Sequence, residues 1–325
     1  MGARPDGVIN YRMMTGRNLP KPLQGIIPPI VTPLLNNGSL DLEGLGRLIE
    51  HVIKGGVHGL FILGTTGEAP GLSYKLKNEL IKVTCQKVKQ RIPVFVGITD
   101  SSVDESILLA KAAEQCGASG LVAAPPYYFS LSQPELTTYF THLADNVGLP
   151  LFLYNIPSQT KIIIEPLSVK ELASHPMIAG LKDSSGNGTY FNTVSSIMKA
   201  EETFALFVGP DEMLASVLLT GAHGGVSAGA NLFPKLYVDL FEACRSGNLS
   251  VVSSLHSQVM EISEKIYNGV PTGTSYLKGI KAVLSIMGIC NDFMAYPLIP
   301  LDAREKKIIK TNLSELKVNS PRKKI

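Results

Sequence analysis

From Gly25 onward, the sequence alternates eight times between a short apolar run and a longer segment of helical period. The predicted strands are Gly25–Val31, His58–Leu63, Pro93–Ile98, Gly120–Ala124, Pro150–Tyr154, Ile178–Lys182, Ala205–Val208 and Gly224–Ser227. The predicted helices between them are Leu42–Lys54, Tyr74–Gln90, Val103–Gln115, Gln133–Asn146, Pro166–Ser174, Thr189–Lys199 and Glu212–Thr220. Continuous apolar strands that alternate with helices predict a parallel sheet covered on both faces. Eight repeats favour the α/β class, and within it a closed (β/α)8 TIM barrel rather than an open doubly wound sheet.

Residues typical of helix starts support several of these boundaries. Asp41 precedes the first predicted helix and Ser73 the second, and both side chains can accept a hydrogen bond from the first turn. Ser132, followed by Pro134 and Glu135, has the pattern of a capped start before the fourth helix. We therefore expect these helices to begin where the apolar period begins.

The pattern changes after the eighth strand, where only helical segments follow. These segments are about Lys235–Cys244, Leu249–Tyr267 and Ser275–Met287, and they predict a C-terminal helical appendage to the barrel. The sequence is accordingly divided into an N-terminal arm (1–24), a (β/α)8 barrel (25–230), a C-terminal helical region (231–312) and a basic tail (313–325).

Charge and hydropathy exclude several classes of protein. The 30 basic and 27 acidic residues leave a net charge of +3, and part of the excess lies in the tail, so we expect no nucleic-acid partner. No apolar run approaches the roughly 18 residues that span a bilayer, and Met1–Pro20 has no apolar signal-peptide core. We therefore expect a soluble cytoplasmic protein without a membrane partner.

The residue types that hold metals, disulfides or nucleotides have no suitable spacing. The four cysteines and six histidines occur singly, which predicts neither a disulfide framework nor a metal site. No G-x-G-x-x-G motif with a following acidic residue occurs in a strand-helix-strand unit, which disfavours a nicotinamide enzyme. The sequence thus predicts chemistry without a metal or a cofactor.

In a barrel of this type the active site is built at the carboxyl ends of the strands. Lys182 ends the sixth predicted strand after the small and apolar residues 177–181, so its amine is expected at the barrel mouth. Loss of hydration there favours the neutral amine, a nucleophile that can form a Schiff base with a carbonyl compound. The alternative is a structural lysine that forms a salt bridge with a neighbouring carboxylate such as Asp183.

Two other strand ends carry groups that suit the same chemistry. Gly64-Thr65-Thr66-Gly67-Glu68 is a glycine-bounded turn whose N–H groups and hydroxyls can converge on a carboxylate, although barrels also need such turns structurally. Tyr154 ends the fifth strand, where its phenol can exchange protons with an imine at Lys182 or simply lie at the edge of the core. Tyr127 and Tyr128 suit a subunit interface as well as a site.

Three segments taken together resemble the dihydrodipicolinate synthase and N-acetylneuraminate lyase superfamily of class I aldolases. They are Gly64–Glu68, Tyr154-Asn155-Ile156-Pro157 and Gly180-Leu181-Lys182-Asp183, in this order at three strand ends. The resemblance covers about Gly25–Gly288 and implies that Lys182 forms an imine with pyruvate or with the 2-oxo group of a longer acid. It further implies that Tyr154 transfers protons and that Gly64, Thr65 and Thr66 hold the carboxylate.

The same resemblance implies an oligomer. In the family, a tyrosine on the loop after the fourth strand enters the neighbouring subunit's site as a proton relay with the first threonine, and Tyr128 stands at that position. The implied minimal catalytic unit is a dimer and the usual form a homotetramer. The implied scheme is chemically coherent, because a protonated imine is an electron sink for the adjacent carbanion and a preorganised carboxylate site orients it.

One position departs from the dihydrodipicolinate synthases, where an arginine after the tyrosine motif binds the carboxylate of aspartate semialdehyde. This chain has Gln159 there, and a neutral amide cannot replace a charged clamp whose loss costs on the order of 2 to 5 kcal/mol. Asp211 and Glu212 resemble the lyase branch, where acidic residues bind sugar hydroxyls, but they equally suit a helix start. Val226, in the eighth strand, completes the predicted substrate-binding set.

We therefore predict a lyase or aldolase that cleaves or condenses a 2-oxo acid with a neutral, hydroxylated tail, with pyruvate as product or donor. A 2-oxo-3-deoxy sugar acid or a sialic-acid-like compound fits this description. The alternative is a 4-hydroxy-tetrahydrodipicolinate synthase in which another cation replaces the arginine. A third hypothesis is a non-catalytic 2-oxo-acid-binding member. The sequence does not separate aldol cleavage from dehydration, because both begin with the same imine.

Overall fold

The computed structural model describes residues 19–318 of the chain. Eight parallel strands form one curled sheet: β1 (Gly25–Ile26), β2 (Leu60–Ile62), β3 (Val94–Gly97), β4 (Gly120–Ala123), β5 (Leu151–Asn155), β6 (Ile178–Asp183), β7 (Ala205–Val208) and β8 (Gly224–Gly225). Their order in the sheet is β1-β8-β7-β6-β5-β4-β3-β2. This arrangement is consistent with the predicted (β/α)8 barrel.

Helices follow the strands along the chain. They are α1 (Leu42–Lys54), α2 (Tyr74–Val88), α3 (Val103–Gln115), α4 (Gln133–Asp145), α5 (Pro157–Thr160), α6 (Pro166–Ala173), α7 (Gly188–Ile197) and α8 (Leu214–Leu219). After β8 come α9 (Pro234–Arg245), α10 (Leu249–Ile262), α11 (Ser275–Ile286) and α12 (Ala303–Glu315). The helices predicted between strands are confirmed, with ends that differ by two residues at most.

The predicted helix starts are also confirmed by their hydrogen bonds. The Asp41 carboxylate accepts a bond of 2.8 Å from the N–H of Gly44, and the Ser73 hydroxyl accepts one of 3.3 Å from Leu76. At the start of α4, the N–H of Ser132 donates to the carboxylate of Glu135 at 2.8 Å. These bonds satisfy backbone groups that the first helical turn leaves unpaired.

The first and eighth strands are shorter than predicted. The first ends at Ile26 because Pro28 and Pro29 lack the N–H that a strand ladder needs. The chain beyond it still reaches β2, since the N–H of Ile30 donates to the carbonyl of Phe61 at 2.9 Å and the N–H of Phe61 donates to that of Pro28 at 3.0 Å. The curled sheet therefore brings its two end strands together.

The inner side of the sheet is lined by an apolar cluster separate from the larger core between sheet and helices. Its buried members are Leu23, Ile27, Phe61, Phe95, Val122, Ala124, Phe152, Tyr154, Ile156, Ala205, Phe207 and Val226. Leu23 belongs to the predicted N-terminal arm, of which residues 1–18 lie outside the described residues. This cluster makes the surroundings of the end of β6 apolar.

The helices after β8 include one that the sequence did not predict. Helix α12 buries only Ile309, so its apolar face is too thin to give a clear period. It runs to Glu315, beyond the predicted end of the helical region at residue 312, while residues 319–325 of the predicted tail lie outside the described residues. The division into domains stays a prediction. No helix within residues 19–318 has the length and apolarity to cross a membrane.

Candidate active site

Lys182 lies at the end of β6 with its side chain in the barrel interior. It is paired in register with Tyr154 of β5, and it is only 6% exposed. The amine nitrogen Nζ is 3.7 Å from the centroid of the Tyr154 ring and 5.0 Å from that of Phe61. The amine is therefore enclosed by aromatic faces.

No carboxylate neutralises this amine. Among residues 19–318, no salt bridge includes Lys182. The carboxylate of Asp183 instead accepts bonds from Asn155 Nδ2 at 2.8 Å and from the Ser185 hydroxyl at 3.0 Å. The alternative of a lysine paired with Asp183 is thus not supported. Burial lowers the pKa of Lys182 from 10.5 to about 7.

The aromatic rings act against this shift, but more weakly. A cation over an aromatic face gains about 0.5 to 2 kcal/mol. A shift from 10.5 to about 7 at Lys182 corresponds to roughly 5 kcal/mol of lost hydration. Loss of hydration therefore dominates, and a large fraction of the amine is neutral and nucleophilic near pH 7.

Tyr154 connects this amine to the turn after β2. Its hydroxyl lies 3.2 Å from the hydroxyl of Thr65. Burial raises the pKa of Tyr154 above its ordinary value, so the phenol stays protonated and can donate. Ser184, which the sequence analysis missed, follows β6 directly, and its N–H donates to the carbonyl of Asn155 in β5 at 2.8 Å.

Backbone hydrogen bonds stabilise the turn Gly64–Glu68 (the 64–68 turn). The N–H of Gly67 donates to the carbonyl of Gly64 at 3.1 Å, and that of Glu68 to Thr65 at 3.0 Å. Within the described residues, the N–H groups of Thr65 and Thr66 donate no hydrogen bond. These two donors are therefore available for an anion. Their binding of a carboxylate stays a prediction.

The neighbouring strand must approach this turn closely. Leu63, just before the turn, has a φ of 58°, in the left-handed region that non-glycine residues rarely adopt. A Cβ at Gly97, at the end of β3, would lie 2.1 Å from the carbonyl oxygen of Leu63. Only glycine fits at that position, because any side chain would push the turn away.

A cavity of about 480 Å³ opens beside these residues. Of the predicted site residues, Gly64, Thr65, Tyr154 and Gln159 line it, and Tyr127 of the α4 loop does too. Val226 and Lys182 line a separate small void of about 20 Å³. The structure therefore brings the predicted turn, tyrosine and glutamine to one opening, and Phe61 lines both this opening and the void at Lys182.

The cavity also has a polar wall that the sequence analysis missed. Lys77 of α2 lies 3.9 Å from the carboxylate of Asp100, to which the Tyr74 hydroxyl donates at 2.9 Å. Lys77 is the one basic side chain among the described residues that line the cavity. Burial lowers its pKa, and the loose pairing with Asp100 offsets part of its charge.

Tyr128 does not reach this opening within its own chain. It is 79% exposed, and its ring packs on Phe129 with centroids 5.1 Å apart. Tyr127, Tyr128 and Phe129 thus give one loop three neighbouring exposed aromatic residues. The predicted role of Tyr128 in a neighbouring subunit's site stays a prediction.

The carboxylates of Asp211 and Glu212 have hydrogen-bond partners within the protein. The Asp211 carboxylate accepts bonds from the Tyr237 hydroxyl at 2.8 Å, from the N–H of Gly229 at 2.9 Å, and from Tyr267. It neither lines the cavity nor caps the following turn, although burial raises its pKa to about 6. Glu212 accepts a bond from Ser263, at the end of α10. Contact with substrate is not supported for either residue.

Glu68, at the end of the 64–68 turn, has a partner that the sequence did not indicate. Its carboxylate accepts a hydrogen bond from the amine of Lys281 in α11, and both side chains are at most 1% exposed. The N–H of Ala295 donates to the same carboxylate at 2.7 Å. This buried ion pair ties the turn to the C-terminal helices, 213 residues along the chain.

Comparison with known protein families shows which family has this arrangement of residues. The model of the dihydrodipicolinate synthetase family matches residues 22–316. The chain belongs to this family. Members are class I lyases, and this dihydrodipicolinate synthetase family protein is accordingly a carbon–carbon lyase of the aldolase type.

Individual relatives carry two different assignments. The Escherichia coli K12 protein YagE, provisionally named a 2-dehydro-3-deoxy-D-gluconate aldolase, is 34% identical over 90% of this chain and 97% of YagE. A 4-hydroxy-tetrahydrodipicolinate synthase of Bartonella bacilliformis is 33% identical over 88% of this chain and 96% of its own length.

Two solved structures are similar to this chain over most of its length. A dihydrodipicolinate synthase from Bacteroides thetaiotaomicron is 50% identical, with a TM-score of 0.90, over 92% of this chain and 100% of that one. YagE in complex with pyruvate has a TM-score of 0.86 over 90% of this chain and 98% of YagE. Family membership therefore leaves the second substrate to be argued from the site.

Proposed function

We propose that Lys182 forms an imine with pyruvate, or with the 2-oxo group of a longer acid, and that the protein cleaves or forms a carbon–carbon bond beside that imine. The observation that carries this proposal is a buried amine without a counterion, whose pKa is lowered to about 7. A neutral amine attacks the ketone carbon, and loss of water gives a protonated imine. The imine then accepts the electron pair of the bond that breaks.

Tyr154 and Thr65 move the protons that this sequence of steps requires. The carbinolamine must lose its hydroxyl as water, and the carbanion next to the imine must later be protonated. The Tyr154 hydroxyl is suited to both, because the Tyr154 ring lies next to the amine and its hydroxyl shares a hydrogen bond with Thr65. The free N–H groups of Thr65 and Thr66 would hold the carboxylate of the 2-oxo acid.

Tyr128 is proposed to complete the relay from a neighbouring subunit. Its exposure of 79%, on a loop with two further exposed aromatic residues, is typical of a subunit interface. The proposed assembly is a homotetramer built from two dimers, in the cytoplasm. Replacement of Tyr128 by Phe in one protomer of a mixed dimer would then impair the partner's site.

The proposed second substrate portion is neutral and hydroxylated, as in a 2-oxo-3-deoxy sugar acid. Gln159 supports this, because it lines the cavity where a charged tail would need a cation, and an amide pairs well with hydroxyls. The resemblance to YagE is compatible with it. Aldol cleavage and dehydration share the imine and are not separated by this argument.

A second candidate is a 4-hydroxy-tetrahydrodipicolinate synthase. Two observations favour it: the 50% identity with the Bacteroides thetaiotaomicron enzyme of that type, and the presence of Lys77 on the cavity wall. Lys77 is a weak substitute for an arginine clamp, because Asp100 lies 3.9 Å from its amine and offsets its charge. We therefore place this candidate second.

Borohydride reduction tests the proposed imine. Incubation of the protein with pyruvate and borohydride should leave a reduced adduct on the peptide that contains Lys182, found by mass spectrometry. Tyr154→Phe should still form the adduct but lose about 10²- to 10⁴-fold in turnover, since proton transfer is what it removes. An unmodified Lys182 peptide would contradict the proposal.

A substrate panel separates the two candidates. Release of pyruvate from sugar acids, with little turnover of aspartate semialdehyde, is expected if Gln159 sets the specificity. Gln159→Arg should then improve the use of aspartate semialdehyde, whereas Lys77→Met should not abolish sugar-acid cleavage. Efficient turnover of aspartate semialdehyde that depends on Lys77 would favour the synthase. An adduct at Lys182 without turnover of any compound would favour a binding protein.

A further inference from the structure

Phe61 lines two spaces that differ in polarity. The cavity of about 480 Å³ has polar groups from the 64–68 turn, from α2 and from α5 in its wall. The void of about 20 Å³ has room for about one water molecule, and Lys182 is the one polar residue among the described residues that line it. A buried water needs two to four polar partners, so this lining does not favour water next to the amine.

The ring of Phe61 forms part of the wall that separates the void from the cavity. It is 2% exposed, and the amine nitrogen of Lys182 lies 5.0 Å from its centroid. The ring of Tyr154 meets it edge to face, with centroids 6.5 Å apart. The 64–68 turn packs so closely on it that a Cβ at Gly64 would lie 2.6 Å from Phe61 Cε1. The ring is therefore fixed between the amine and the turn.

Phe95, in the next strand, is a neighbour of the same type with different contacts. It is also 2% exposed and lines the void, but it does not line the cavity. Its ring packs edge to face on Phe152, with centroids 5.5 Å apart. Within residues 19–318, the aromatic faces near the amine of Lys182 are those of Tyr154 and Phe61. A shorter side chain at Phe95 therefore enlarges the void, whereas one at Phe61 joins the void to the cavity.

We propose that Phe61 is a positioning residue for the nucleophile, because its ring keeps the water of the cavity away from the amine of Lys182. Water at the amine would hydrate the ammonium and favour this charged, unreactive form. The face of the ring has the opposite and smaller effect, since it attracts an ammonium. Phe61 thus acts through its shape. This inference rests on the proposed function, in which the neutral amine attacks a ketone.

Phe61→Leu tests the inference, because leucine stays apolar but is shorter than the ring. The measurement is the pH at which Lys182 reacts with trace acetic anhydride at half its maximal rate, followed at the Lys182 peptide without any ketone. This pH, about 7 in the wild type, should rise by about one unit or more in the variant. An unchanged value would overturn the role of the ring as a barrier. A lower value would also overturn it, and would show that the ring acts through its face.

Phe95→Leu is the matched control, since it makes the same change in an equally buried ring of the same void. It should leave the half-maximal pH of Lys182 within about 0.3 units of the wild type. An equal rise in the two variants would overturn the proposal, because any loss of core volume would then be sufficient. If Phe61→Leu does not fold, Phe61→Met against Phe95→Met carries the same test, with a rise of about half a unit expected only at position 61.

Failure of the proposed function is recognised separately. Wild-type protein that forms no borohydride-reduced adduct with pyruvate overturns the imine without any variant. If the adduct forms in the wild type, its initial rate with dilute pyruvate at pH 7 should fall about 5-fold in Phe61→Leu, because the neutral fraction of the amine falls from about one half to about one tenth. An adduct that forms at the wild-type rate in this variant overturns only the role of Phe61.

Discussion

Three lysines are buried within residues 19–318, and two of them, Lys281 and Lys182, differ in whether a carboxylate contacts the amine. Lys281 in α11 has a side chain that is 0% exposed and is bonded to the carboxylate of Glu68. Lys182 in β6 is 6% exposed and is surrounded by aromatic rings, without a carboxylate partner. Burial alone is therefore not what makes a lysine reactive.

The difference lies in what compensates for lost hydration. A carboxylate in contact offsets much of the free energy lost when an ammonium is buried, so a pair such as Lys281 and Glu68 can link two parts of the structure. Without such a partner, burial favours the neutral amine over the ammonium, which lowers the pKa of Lys182 to about 7. One lysine is thus a support for the turn and the other is a nucleophile beside it.

The largest expected effect is the loss of catalysis in Lys182→Met. Methionine keeps the volume and the apolar contacts but cannot form an imine, so turnover should fall by at least about 10³-fold. The steady-state rate of pyruvate release measures this. Circular dichroism of the variant should be unchanged, and residual turnover within tenfold of the wild type would show that another group is the nucleophile.

Lys281→Met should reduce the stability of the fold, in contrast to Lys182→Met, which should reduce turnover. Removing one partner of a buried pair leaves the charge of Glu68 unpaired, which costs about 3 to 5 kcal/mol of unfolding free energy. Denaturant unfolding measures this loss. The double variant Lys281→Met with Glu68→Gln should recover part of the stability, because it removes the orphaned charge. A single variant as stable as the wild type would mean that the pair does not tie the turn.

Lys182→Met should also change how stability depends on pH. Below pH 7 the amine of Lys182 is protonated in both the folded and the unfolded chain, and its burial is a constant penalty. Between its folded pKa of about 7 and its unfolded value of 10.5, only the unfolded state keeps the proton, so the wild type gains stability as the pH rises. Relative to Lys182→Met, this gain should be roughly 2 kcal/mol from pH 7 to pH 9. A difference that is flat over this range would contradict the lowered pKa.

The smallest effect is expected when Lys182 is given a counterion. Val226 lines the same small void as Lys182, so Val226→Asp would place a carboxylate near the amine. The acidic limb of the pH profile of adduct formation should move up by about one pH unit or more. Val226→Asn, which has a similar shape and no charge, is the matched control and should not move it. Equal pH profiles of adduct formation in the two variants would contradict the idea that a nearby charge controls the pKa of Lys182.

The positions of the elements were largely predictable from the sequence. The change from apolar strands to helical periods marked each of the longer helices between strands but not the four-residue α5. Parallel pairing then brought Tyr154 and Lys182 side by side, as predicted. The early end of β1 was missed because it is set by prolines that lack a backbone N–H, and not by the apolar pattern. Helix α12 was missed because it has few apolar residues, so it shows no clear helical period.

The supports of the site were not predictable in this way. Lys281 contacts a residue more than 200 positions earlier in the chain, and no local pattern distinguishes it from other residues of an amphipathic helix. The tyrosine partners of Asp211 were not predicted for the same reason, since they lie 26 and 56 residues further along. Long-range partners decide whether a polar residue at a strand end contacts substrate or core.

The central claim is that the amine of Lys182 is neutral because it is buried without a partner. The most direct test is the pH dependence of its reaction with trace acetic anhydride in the protein without substrate, followed at the Lys182 peptide, with the exposed Lys75 as an internal reference for the reagent. The account predicts a half-maximal rate near pH 7 for Lys182. A half-maximal rate near pH 10, the ordinary range of a lysine, would contradict it.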